Sequence, residues 1–157
     1  MGDRTWASWV APEGVLPATL SVHPRVVDGS GLSRGDQTSP SQVADLLVRL
    51  AGKPLGAIVR GDLAVAGRTG TLRLRMRHTA AAGRCQGKTG TLIGASNLVG
   101  YCQSPGQHLL AFAIFNDGIA TETARTIQDH IVITLASSNT STIGGEAPAA
   151  SAASLRS

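Results

Sequence analysis

The chain has 157 residues, enough for one domain with its own core and short for two. Hydrophobic residues reach 42% but charged residues only 15% and aromatics 3%, which reads as a core packed from small side chains or as an incomplete one. The net charge of +4 is uneven: residues 53–88 hold eight Lys or Arg against the single acid Asp62, and with no aromatic interleaved for bases to stack on, this basic stretch argues against nucleic acid as the partner.

Residues 1–25 read as an irregular lead-in, with Trp6 and Trp9 set among prolines and glycines. No basic n-region opens it, and Pro12, Glu13 and Pro17 break its apolar run, so no secretory leader is expected in this chain. The longest apolar run, 109–115, is far too short to span a membrane. Ser30 and Ser33 lie in a glycine-rich loop with no lysine or histidine near enough in sequence to act as a base, so turn chemistry is the expectation for both. The tripeptide Arg34-Gly35-Asp36 carries no chemistry of its own in this setting.

The first helix is expected at Ser39-Pro40, an N-cap followed by proline at the first helical position, continuing through Val43, Leu46, Leu47 and Leu50 to Gly52. Further on, Arg73, Arg75 and Arg77 alternate with Leu72, Leu74 and Met76, which reads as a strand by period, although Thr79-Ala80-Ala81-Ala82 would tolerate a helical turn. Those three arginines read either as a solvated basic face or as a lure for anionic cell-wall polymer.

Three strands follow, near 85–92, 97–103 and 108–116, separated by turns at Gly94-Ala95-Ser96 and Ser104-Pro105-Gly106-Gln107. An antiparallel meander is the natural outcome. A closing helix over 121–135 places Ala124, Ile127, Ile131 and Leu135 on one face, opposite Arg125, Gln128 and Asp129. Residues 136–157 are almost wholly Ser, Ala, Thr and Gly and read as a disordered tail, which makes the Ser137-Ser138-Asn139 match to Ser-x-Asn a matter of chance.

Metal and thiol-redox chemistry find no pattern. Cys85 and Cys102 fit no zinc spacing and no Cys-x-x-Cys pair, and His23, His78, His108 and His130 are scattered singly. Because the cysteines flank a candidate hairpin, either a disulfide or a pair of small buried residues is compatible with their positions. No metal and no cofactor are expected.

Gly87-Lys88-Thr89-Gly90-Thr91-Leu92 is the segment with chemical content. An edge strand offering an ammonium, a hydroxyl and a glycine in a row suits an extended, anionic peptide. Lys88 would neutralise a carboxylate, Thr89 would donate to it, Gly90 would let a ligand backbone approach, and the Thr91 N–H would be free to serve as an oxyanion donor. Alone, Lys-Thr-Gly is equally the mark of a surface strand with a solvated lysine. Here it stands in the longer run from Arg84 into Ser96-Asn97-Leu98-Val99-Gly100-Tyr101.

On those residues, together with Val27-Asp28-Gly29-Ser30-Gly31-Leu32-Ser33-Arg34, Ala66-Gly67-Arg68-Thr69-Gly70-Thr71-Leu72-Arg73 and Ala82-Gly83-Arg84, the chain resembles the serine D-alanyl-D-alanine carboxypeptidases and endopeptidases of the low-molecular-mass penicillin-binding proteins, over residues 26–135. The resemblance implies an α/β (α+β) fold, the C-terminal portion of the penicillin-binding, β-lactamase-like transpeptidase fold: an antiparallel sheet with packed helices. It also implies a location in the cell envelope.

Such enzymes work with Ser-x-x-Lys, Ser-x-Asn and Lys-Thr-Gly, the first serine attacking the peptide carbonyl. Only the third motif is present: no serine in the chain has a lysine three places on, and no Ser-x-Asn precedes Asp28. By the resemblance, Lys88, Thr89, Gly90 and Thr91 bind the terminal carboxylate and reacting carbonyl of a stem peptide or a β-lactam. Lys88 is then the one candidate for a catalytic role, the nucleophile being absent. Asp36 departs from the asparagine usual in the family loop.

Three readings follow. The chain is a truncated serine DD-peptidase, inactive alone and expected to pair with a missing N-terminal portion of the same fold; or a non-catalytic module binding peptidoglycan peptides; or a basic nucleic-acid-binding domain.

Overall fold

In the computed structural model, residues 25, 30–33 and 35–138 are described. The expected lead-in, Arg25 apart, and the tail beyond Ser138 lie outside the described residues, as do Arg34 and Asn139. The elements in chain order are helix α1 (Pro40–Ala51), helix α2 (Pro54–Asp62), strand β1 (Ala64–Val65), a single 3-10 turn (Gly70–Leu72), strands β2 (Cys85–Leu92), β3 (Ala95–Gln103) and β4 (Leu109–Asp117), and helix α3 (Thr121–Ser137). The strands form one antiparallel sheet in the order β1-β2-β3-β4, the meander the sequence implied.

Helix α1 starts where its cap dictates. The Ser39 hydroxyl accepts from the Gln42 N–H at 3.2 Å and the Gln42 side chain accepts from the Ser39 N–H at 3.0 Å, a reciprocal capping box ahead of Pro40. Helix α2 shares only the proline: Pro54 takes the first helical position after Lys53, which makes no side-chain cap, and the new helix starts directly after Gly52 ends the old one.

The sheet is covered on both sides. Side chains alternate across a strand, and the β3 residues Leu98 and Cys102 join Phe112, Leu72, Met76, Ala81, Val132 and Ala136 in one core beneath α3. On the opposite face, the Tyr101 hydroxyl donates to the Leu47 carbonyl of α1 at 2.8 Å, and α1 lies mainly against β4 and β3. Fully buried side chains such as Leu72, Leu98 and Val132 each contribute on the order of 1.5–3 kcal/mol. Cys85 and Cys102 face each other in the β2–β3 register, buried and joined as a disulfide.

Three expectations are corrected. The β2–β3 turn is the two residues Ile93 and Gly94, with Gly94 at φ 81°, so β3 begins at Ala95 and Ser96 lies within it. Residues 73–77 form no strand. Leu72 and Met76 are both buried while Leu74 between them is 70% exposed, and Met76 and His78 have φ of 57° and 58°, which no ladder accommodates.

Helix α3 buries Ala124, Gln128, Val132 and Ala136, not the isoleucine face: Ile127 and Ile131 are each 39% exposed. Small alanines let the helix settle close to the sheet, and Gln128 is drawn inward by polar groups waiting there. The helix also runs past 135, to Ser137.

Candidate active-site strand

Strand β2 divides into two halves. Its first half is paired on both sides: Gly87 faces Ala64 of β1 and Gly100 of β3, and the Cys85 carbonyl accepts from the Ala66 N–H at 2.9 Å. The neighbouring Arg84 carbonyl points the other way, accepting from Gln103 of β3 at 3.0 Å. Backbone direction alternates along an antiparallel ladder, so Gly87, Thr89 and Thr91 share the outward direction of Cys85, while Lys88 and Gly90 turn their backbone groups toward β3. β1 consists of Ala64 and Val65 only. Beyond Gly87, no strand lies beside β2 among the described residues, and the N–H and C=O of Thr89 and Thr91 face an open edge.

The four residues singled out from sequence all stand on this open half. Lys88, Gly90 and Thr91 are exposed and Thr89 half-buried. Register places Lys88 opposite Val99 and Gly90 opposite Asn97, on the face that carries Tyr101 and α1. Thr89 and Thr91 point to the α3 side. The Lys88 ammonium donates to the Thr89 carbonyl at 2.6 Å, turned back along the open edge, and the Thr89 hydroxyl lies 3.0 Å from the Thr71 hydroxyl. A Cβ at Gly90 would meet nothing within 4 Å, so a ligand can approach the backbone there.

A cleft of about 600 Å³ opens beside Thr89 and Thr91, bounded by Thr71, Arg75 and Arg125. A second, of about 440 Å³, lies between Lys88, Gly87 and the segment around Asp62 and Thr71. Thr71 borders both. The edge therefore lies between two recesses, with an ammonium over one and hydroxyls over the other.

Residues that sequence reasoning missed hold this geometry from behind. Arg75 fits neither the solvated face nor the polymer lure expected of the three alternating arginines. It is instead the anchor of the 70–77 loop, its guanidinium donating to Asp129 at 2.7 and 3.0 Å, to Gln128 Oε1 at 3.0 Å and to the Arg125 carbonyl at 3.2 Å. Gln128, fully buried, passes the link to the sheet through its Nε2, which donates to the Ser96 carbonyl at 2.9 Å and to Asn116 Oδ1 at 3.0 Å. The same loop carries Thr71 to Thr89. A glutamine amid small residues on an otherwise apolar helical stripe was the available hint, since a buried amide needs partners.

Other candidates are not assembled here. Ser30 and Ser33 accept from the N–H groups of Leu32 and Gly35 at 3.0 and 3.1 Å, the turn chemistry expected of them. His78, His108 and His130 are exposed, and no group of three His, Cys, Asp or Glu side chains that could hold a metal is found among the described residues. No helix of the described residues is long and apolar enough to cross a membrane.

The sheet with its flanking helices is the fold of penicillin-binding proteins. It aligns with penicillin binding protein 4 of Haemophilus influenzae at a TM-score of 0.61 and 22% identity, over 70% of this chain and 28% of that one. A predatory endopeptidase of Bdellovibrio bacteriovorus, solved with an immunity protein, matches at a TM-score of 0.52 and 18% identity, over 71% of this chain and 33% of that one. Sequence narrows the class. Residues 18–138 match the D-Ala-D-Ala carboxypeptidase 3 (S13) family, and a D-alanyl-D-alanine carboxypeptidase of Actinomadura sp. (strain R39) is 42% identical over 114 residues, 69% of this chain. The chain belongs to that family, and it spans about a fifth of that curated relative, 21% of its length.

Proposed function

We propose that this chain supplies the substrate-binding strand of a serine-type D-alanyl-D-alanine peptidase acting on peptidoglycan stem peptides in the cell envelope. The observation that carries this reading is the unpaired half of β2, where Lys88, Thr89, Gly90 and Thr91 stand together on an open edge. A peptide laid along that edge would bond to the outward backbone of Thr89 and Thr91 as an added strand. Its terminal carboxylate would replace the Thr89 carbonyl as the partner of the Lys88 ammonium and take the Thr89 hydroxyl from Thr71. The Thr91 N–H would stabilise charge on the reacting carbonyl oxygen.

The covalent step needs a nucleophile, and these 157 residues contain no Ser-x-x-Lys. We assign that role to a companion part of the same family fold. Val48, Leu55 and Ile58 of α1 and α2 are 62%, 47% and 63% exposed and Ile93 at the hairpin turn 89%, apolar surface of the kind that another layer of the fold covers. Alone, the chain binds without acylation.

Incubation of the purified chain with a fluorescent penicillin, read both in solution and on a denaturing gel, tests this. Saturable binding that a D-Ala-D-Ala peptide displaces, with no band surviving denaturation, is expected. A covalent band would show that a serine of this chain is nucleophilic, and folded protein without any binding would sink the assignment.

A further inference from the structure

Thr71 stands outside the strand that carries Lys88 to Thr91, yet its hydroxyl meets that of Thr89 across a sequence separation of 18 residues. The turn that brings it there is held tightly. The Thr69 hydroxyl accepts from the Val65 N–H at 2.8 Å, the Gly67 N–H donates to the Leu72 carbonyl at 3.0 Å, and the Arg73 N–H donates to the Gly70 carbonyl at 3.2 Å. Gly70, at φ 52°, folds the turn back over β1 so closely that a Cβ there would stand 2.9 Å from that of Ala64. On the far side Leu72 is buried in the core, and Arg75 ties the loop to α3 through Asp129.

Thr71 itself is exposed. Water would satisfy its hydroxyl, so neither the core nor the turn needs an oxygen at this position. The contact with β2 runs through the two side chains, and among the described residues the backbone of the turn makes no bond to that of Thr89. The open edge thus stays open while one of its hydroxyls is held from the side. Thr71 also borders the recesses on both sides of that edge.

A hydroxyl has one proton to donate and two lone pairs to accept with. In the free chain the two oxygens, 3.0 Å apart, share one hydrogen bond. A carboxylate reaching Thr89 takes the Thr89 proton as its bond, which leaves a lone pair on the Thr89 oxygen facing Thr71. The Thr71 hydroxyl then donates to that lone pair. Each oxygen keeps its own proton and no covalent bond changes. The result is a chain from Thr71 through Thr89 to the carboxylate, in which each bond polarises the next. Hydrogen bonds to an ionised acceptor are about twice as strong as neutral ones, so the gain is larger for a carboxylate than for an amide. The same contact fixes the Thr89 side chain before the ligand arrives, and less rotamer freedom is lost on binding.

We propose that Thr71 is a positioning residue, acting through Thr89, that commits the Thr89 hydroxyl to donate outward and so favours a ligand ending in a free carboxylate. This inference rests on the peptidase reading of the β2 edge.

The test titrates the full chain, Thr71→Val and Thr71→Ser with a D-Ala-D-Ala peptide and with the same peptide ending in a carboxamide. Thr71→Val keeps the shape and removes the hydroxyl. It should weaken the carboxylate peptide about fivefold and the carboxamide peptide by no more than about twofold. Thr71→Ser should hold the carboxylate peptide within about twofold of the unmodified chain. In a Thr89→Val background, Thr71→Val should bring no further loss, the mark of a residue that works through another. Scalar couplings to the Thr89 methyl carbon give its χ1 without any ligand: one rotamer in the unmodified chain and in Thr71→Ser, an average in Thr71→Val.

Folded, unmodified chain that binds neither peptide would sink the peptidase reading and this inference with it. Where the unmodified chain binds, an unchanged affinity in folded Thr71→Val, equal losses for the two peptides, or a loss that persists in the Thr89→Val background would overturn the role of Thr71 alone. An averaged Thr89 χ1 in the unmodified chain would overturn it too, and that readout needs no variant to fold.

Discussion

The two halves of β2 each carry one glycine and have opposite duties. From Cys85 to Gly87 the strand is gripped by β1 and β3 and packed into the core, and Gly87 faces Gly100 so closely that a Cβ on the latter would collide with the Gln86 carbonyl. From Lys88 onward only β3 remains, and a Cβ on Gly90 would meet open space. One glycine lets strands close on each other and the other leaves room for something not in the chain. A sheet edge of this kind is a liability unless it has a ligand.

The sharpest way to break this contrast is to add the same methyl group to both halves. Gly100→Ala should cost about 3 kcal/mol or prevent folding, since overpacking against backbone cannot relax. Gly90→Ala should leave denaturant stability within about 0.5 kcal/mol yet weaken binding of a D-Ala-D-Ala peptide. Similar stability losses at both sites would erase the distinction between a structural and a ligand-facing half.

Next comes the support behind the open half. Gln128→Leu keeps the volume but strips partners from Ser96, Asn116 and Arg75, and should cost on the order of 2–3 kcal/mol in urea unfolding. It should also loosen the 70–77 loop, seen as faster amide exchange at Thr71 and Leu72. Lys88→Gln is the complement. Its side chain is exposed, so melting should not move, while affinity for a carboxylate-terminated peptide falls about tenfold, roughly 1.4 kcal/mol.

The smallest effect lies on the α1 face. Burial raises the Tyr101 pKa above its ordinary value of 10.0, with the Arg60 charge pulling it partly back. A phenol whose folded value is raised stabilises the fold at all pH below the ordinary value, and that contribution drains away as the pH climbs through and beyond it. Tyr101→Phe, which loses the bond to the Leu47 carbonyl, should cost about 1 kcal/mol at neutral pH. The same variant should flatten the fall in melting temperature above pH 10, the ordinary tyrosine value. An unchanged alkaline fall would place the titrating group elsewhere.

Much of this was legible in the residues. Ser39-Pro40 with Gln42 specified the α1 start, and alternation with turn residues gave the meander and the strand bearing Lys88. The errors share a cause. Period alone turned 72–77 into a strand because Leu72 and Met76 are core residues, but Leu74 is not, and positive φ at Met76 and His78 is invisible in a hydrophobic pattern. Isoleucine counted for more than alanine in choosing the α3 face, whereas close approach to the sheet favours alanine and a partnered glutamine. The edge strand is legible in the chemistry of Lys88-Thr89-Gly90, but where its open half begins is not: that depends on β1 beginning only at Ala64, a local fact with tertiary origin.

The most direct measurement is amide mapping of the folded chain during titration with a peptide ending in D-Ala-D-Ala. The account predicts saturable shifts concentrated on Thr89 and Thr91, whose N–H groups face outward, with smaller changes at Lys88, Gly90 and Thr71 and none across Cys85–Gly87. Shifts spread over the paired half, or none at 88–92 with the protein folded, would contradict it.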